Sequence, residues 1–186
     1  MERDDPATPL TPVGRISIKH VAAAVRKVRA MDGAQQIALA EEIKATQPNL
    51  LASCLVQGQL GADEKTVGFL ITILLVCYQA MQESGFDWPL ISEDAQERES
   101  ARMVGAVNFS EHMPDPSATD AARRQYIADH AEQSLLAFVL GECNGWLREL
   151  ARTHAEKESD KFVLMASVNL VNCIAYAVVP TRRRAL

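Results

Sequence analysis

The chain has 186 residues, of which 48% are hydrophobic, 23% charged and 5% aromatic, with a net charge of −5. That length can bury a full core in one domain without a disulfide or metal staple, and the acidic balance argues against a dedicated nucleic-acid binder. Sparse aromatics beside abundant Ala and Leu disfavour sheets and favour close-packed helices.

Residues 1–14 contain Pro6, Pro9 and Pro12 among Thr and Asp, the composition of a disordered leader. No charged-then-apolar signal pattern opens the chain. From Ile16 the pattern turns helical: Ile18, Val21, Val25 and Val28 recur at spacings of three and four and predict one apolar stripe. Asp32-Gly33 ends it. A second helix over 34–46 is expected to turn Ile37, Ala40 and Ile43 inward, with Leu39 as a further candidate. Pro48 suits the first turn of a third helix, where its missing N–H costs nothing, with Leu50, Leu51, Cys54 and Leu55 on the buried side.

The stretch from Asp63 to Ser84 predicts the central element. Its middle, Val67 to Tyr78, is apolar on every face, so other helices or lipid must sheathe it. Asp63 and Glu64 complement the positive end of that helix, and Gly85 is placed for a left-handed C-cap. Residues 85–92 form a connector with two aromatics, Phe86 and Trp88. Ser92 caps a further helix that is polar at first and turns apolar through Met103, Val104, Val107 and Phe109. Pro114 and Pro116 terminate it. Residues 118–153 predict two helices, broken near 130–134 or at Gly141/Gly145. A final helix over about 159–178 is again apolar nearly all round, and residues 181–186 form a basic tail.

Two questions of organisation follow. Asn49-Leu50-Leu51-Ala52 and Ser134-Leu135-Leu136-Ala137 recur in the same order relative to Glu64-Lys65-Thr66-Val67 and Asp160-Lys161-Phe162-Val163. This order predicts an internal duplication of about 34–84 in 119–178. Residues 162–179, followed by arginines, have the look of a membrane anchor. Asn169 and Asn172 fall mid-segment, where lipid would leave their amides unpaired, so a core helix is the better reading.

Chemistry-bearing motifs are absent. His20, His112, His130 and His154 show neither H-E-x-x-H nor E-x-x-H spacing and are expected to be solvated surface residues. Cys54, Cys77, Cys143 and Cys173 form no C-x-x-C pair and sit in apolar helical stretches, as buried reduced thiols do. No G-x-S-x-G elbow and no phosphate loop occurs. No cofactor or metal is therefore expected.

Two candidate contact surfaces stand out. Arg15, Lys19, Arg26 and Arg29 lie on one face of the first helix in a stretch without acids. They suit phosphates or an acidic partner, or internal pairing with Glu93, Asp94, Glu97 and Glu99, which the acidic net charge favours. Phe86 and Trp88 either plug the end of the bundle or serve as a partner hot spot, and the plug is the commoner role.

The expected fold is all-α: seven or eight helices spanning 15–180, with two long buried helices at the centre. The leading expectation for function is a cytoplasmic interaction or assembly protein that self-associates as a homodimer. Its rivals are a nucleic-acid-associated regulator using the basic first helix and the Arg tail, and an enzyme whose site is assembled from distant helices.

Overall fold

A helix with no polar side can exist in water only as an axis for others, and the fold is built on that constraint. The computed structural model describes residues 14–111, 115–153 and 158–177. They form eight helices: α1 Ile18–Ala30, α2 Gly33–Thr46, α3 Pro48–Gln59, α4 Glu64–Ser84, α5 Glu93–Glu111, α6 Pro116–Asp129, α7 Gln133–Thr153 and α8 Glu158–Tyr176. There are no strands among the described residues. Residues 1–13, His112, Pro114, His154 and the 181–186 tail lie outside them.

In α4, six consecutive residues from Ile73 to Tyr78 are buried, which no one-sided amphipathic helix achieves. α1, α2, α3 and α8 pack against it. α7 lies across α8 and α1, α5 lies along α8, and α6 bridges α5 and α7. The second long buried helix is α8, where Val171, Cys173 and Ile174 are almost wholly enclosed. Removing a side chain such as Leu70 or Leu74 from water contributes about 2 kcal/mol, and the core cluster runs unbroken from Ile16 to Ile174.

Local chemistry sets the helix ends. Ser17 and His20 form a reciprocal capping box on α1, as Asp32 and Gln35 do on α2. Each supplies donors or acceptors that the first turn lacks. Asp63 accepts from the Thr66 N–H at 2.9 Å. Gly85 closes α4 at φ 68°, a conformation that a side chain resists. The break in 118–153 falls at His130–Glu132, the first of the two predicted places. Thus α6 ends on Asp129 and α7 starts at Gln133.

Three expected core positions face water instead: Ile18 is 65% exposed, Ile37 67% and Leu55 53%. In α1 the inward face is Val21, Ala24 and Val28, and the core position before it is taken by Ile16, ahead of the helix. In α2, Leu39 and Ile43 are one turn apart and point inward, which puts Ile37 on the opposite side. Leu50 and Cys54 do the same in α3, rotating Leu55 outward by about 100°.

Among the described residues one helix, Glu64–Ser84, is long and apolar enough to cross a membrane, and more than half of it is buried against the rest of the chain. In α8, Asn172 finds protein partners, accepting from the Tyr126 hydroxyl at 2.7 Å.

Candidate functional site

The basic stripe of α1 is taken apart by the fold. Arg15 points inward, with its Nε 2.9 Å from Glu132 Oε1. Its Nη1 donates to Ala177 O at 2.6 Å, and Nη2 to Ile174 O at 2.8 Å and Ala175 O at 2.5 Å. These are carbonyls at the end of α8, where the helix dipole also favours a cation. Glu132 has no solvent exposure and accepts from the backbone N–H groups of Arg15 and Ile16 as well. The chain runs so close here that a Cβ on Gly14 would lie 2.8 Å from Ala131 O.

Lys27 pairs with Glu83, and Arg29 reaches Glu142 at 3.3 Å. The internal partners are thus Glu132, Glu83 and Glu142, not the acid-rich turn of Glu93, Asp94, Glu97 and Glu99. Those acids lie in the first half of α5, where Glu99 pairs with Arg102 at 3.0 Å. Lys19 and Arg26 remain at the exposed surface.

Trp88 plugs the end of the bundle. Its Nε1 donates to Met81 O at 3.0 Å and Ser84 Oγ at 3.1 Å, satisfying the last turn of α4. Phe86 meets it edge-on at 6.4 Å, and the Arg15 guanidinium lies 4.7 Å from its ring centroid. Gln47 fixes the connector from below: its Nε2 donates to Pro89 O at 2.8 Å and its Oε1 accepts from Ile91 N at 3.0 Å. Three of the six candidate residues, Arg15, Phe86 and Trp88, come together, with Trp88 between the other two.

A second kind of surface lies elsewhere. A groove of about 310 Å³ runs between α3, α5 and α8, with Val56, Leu60, Met103, Phe162 and Met165 among its walls. Leu60 is 62% and Phe162 51% exposed. Asn169 sits in its lining with Oδ1 buried and unpaired. Beyond the groove α5 continues with Val104 and Phe109 facing solvent, the latter at 67% exposure. Apolar side chains late in an otherwise polar helix signalled this end of α5 in the sequence. The convergence of α3 and α8 upon it required the fold.

His130 is not a solvated surface residue, as its position beside Asp129 had implied. It is 2% exposed, because α6 ends one residue earlier and the chain turns inward there. Its Nδ1 accepts from the Glu132 N–H at 3.1 Å and its Nε2 lies 3.1 Å from Asn172 Oδ1. Both ring nitrogens are engaged, which leaves neither for proton transfer. Burial holds its pKa below the ordinary histidine value. His20 is half-buried and serves as the capping partner of Ser17.

The four thiols are buried. Burial pushes Cys54 and Cys173 up to about 12 and Cys143 to about 11, and Cys77 also rises. Thiols so raised carry almost no thiolate at neutral pH and are inert as nucleophiles or metal ligands. Among the described residues no three His, Cys, Asp or Glu side chains gather as a metal site would require. Comparison with models of known protein families, with curated proteins and with solved structures returns no match.

Proposed function

We propose that this chain is a non-enzymatic helical assembly protein that pairs with a second copy of itself through the outer half of α5 and the groove beside it. The observation that carries the reading is the charge pattern of α5. From Met103 to Phe109 the helix has no charged residue, whereas its first half holds Glu93, Asp94, Glu97 and Glu99.

A two-fold interface brings the same patch of both copies together, so a patch of one sign of charge meets the same sign. On a chain of net charge −5, an uncharged apolar patch is where self-contact escapes that repulsion. Phe109 and Val104 supply the protrusion, and Leu60 and Phe162 border the recess, so each copy offers both halves. A Cβ added at Gly105 would meet nothing within 4 Å, which leaves room for a crossing helix to approach closely.

The rival reading, a nucleic-acid contact through α1, retains Lys19 and Arg26, since Lys27 and Arg29 are paired with acids. Two cations on α1 give a small electrostatic footprint, and the Arg182–Arg184 tail of this reading lies outside the described residues.

Light scattering on the eluting protein tests the proposal. The expected result is a dimer at about 100 µM that Phe109→Asp or Leu60→Asp converts to a folded monomer. A monomer at that concentration, or a dimer indifferent to both substitutions, overturns it.

A further inference from the structure

A second concavity, of about 380 Å³, opens between α6 and the last turn of α8, lined by Ala122, Gln125, Tyr126, Asp129, His130 and Tyr176. Three of the six are rings. Tyr126 and His130 have centroids 5.7 Å apart at 60°, and His130 and Tyr176 are 6.4 Å apart at 73°. Each pair meets edge to face, with Tyr126 and Tyr176 open to solvent at 39% and 44% exposure and His130 buried between them.

Two of the walls are pinned from beneath. Asn172 Oδ1 accepts from the Tyr126 hydroxyl at 2.7 Å and lies 3.1 Å from His130 Nε2. Because His130 Nδ1 accepts from a backbone N–H, the ring hydrogen sits on Nε2 and the imidazole is neutral. Asp129 is the single charged residue of the lining. Gln125 Nε2 steadies its carboxylate at 2.6 Å.

Aromatic faces carry negative potential and attract cations, best when the cation is easily stripped of water. Tyr176 already behaves this way: the Arg102 guanidinium lies 4.3 Å from its centroid, and Arg102 does not line the cavity. We infer that this pocket binds a small alkylated ammonium group, held among the rings of Tyr126, His130 and Tyr176 and balanced by the Asp129 carboxylate. An anion would meet Asp129 with no lining cation to offset it. An uncharged apolar group would forgo the carboxylate altogether. The site lies on α6 and the end of α8, so it does not depend on the self-pairing proposed for α5.

Choline is the probe, with its uncharged tert-butyl isostere as the comparison, followed by calorimetry and by the tyrosine ring resonances. Saturable choline binding is expected, with the isostere at least about tenfold weaker. Tyr176→Ala should weaken choline by about tenfold, while Tyr176→Phe, which keeps the ring face, should match the parent. Asp129→Asn should weaken it several-fold. If Tyr176→Ala proves unfolded by circular dichroism, the isostere and the exposed Asp129→Asn substitution decide the matter. No saturation by about 50 mM choline, equal binding of the isostere, or full binding by a folded Tyr176→Ala overturns the inference.

Discussion

Arg15 and Glu132 stand 117 positions apart in the chain, yet they meet at 2.9 Å in the seam between the entry to α1 and the start of α7. Glu132 also accepts two backbone N–H groups, at 3.2 and 2.9 Å, so one fully buried carboxylate satisfies three donors. The arginine passes the connection on to the end of α8 through three carbonyls.

Glu132→Ala should therefore cost much more than a surface charge would. It strands a guanidinium that is one-fifth exposed and leaves two backbone donors without their acceptor. Breaking a buried pair costs about 3–5 kcal/mol, and partial access of water to Arg15 puts the expected loss near the lower end. Urea denaturation checks it. A loss below about 1 kcal/mol, the range of exposed pairs, would show that this carboxylate is not the anchor described.

Acid should weaken the fold through His130 first. Burial holds the folded pKa below the ordinary value of 6.5. The unfolded chain therefore binds a proton that the folded chain refuses, and stability is lost as pH falls below that value. Protonation would also put a hydrogen on Nδ1, which faces the Glu132 N–H. The melting temperature should drop between about pH 7 and pH 5, and His130→Gln should flatten that segment of the curve. An identical slope in the variant would place the titration elsewhere. Below it, Glu83 adds a second loss, since Lys27 holds its pKa under 4.5 in the folded state.

Trp146 separates packing from hydrogen bonding. Its ring stacks on Phe69 at 4.9 Å and 8°, while its buried Nε1 has no partner. Trp146→Phe discards the unsatisfied donor and keeps the stack, so it should change stability by less than about 1 kcal/mol. Trp146→Ala should cost about 3–5 kcal/mol through the cavity it leaves. Equal losses for the two would mean the indole N–H matters more than the stack.

The helical plan was legible because it is written in local terms. Period, caps and proline positions mark Pro48, Asp63, Gly85 and Ser92 within a residue or so of where the elements turn. The two central helices declared themselves by having no polar face. The basic candidates were legible only as a stripe on one helix, and the partners of Arg29 and Arg15 lie 113 and 117 positions away. No local pattern names Glu132 as the mate of Arg15. His130 was misjudged for the same reason: the break was legible, but the turn over His130–Glu132 puts its side chain inside. The groove of α3, α5 and α8 is likewise a product of convergence. Each wall carried an ordinary apolar residue, and three helices had to meet before Leu60 and Phe162 shared a rim.

The latch at Arg15 also bears on the order in which the molecule assembles. Its guanidinium is made well before its acceptor, since the carbonyl of Ala177 lies 162 positions later. Closing so long a loop comes late, after local helices and the α4 core have formed. The latch should thus be largely unmade at the folding barrier, so loosening it speeds unfolding and leaves the folding rate nearly unchanged. In the finished protein both ends of the described chain are held by one side chain, and escape from the native state begins with its release.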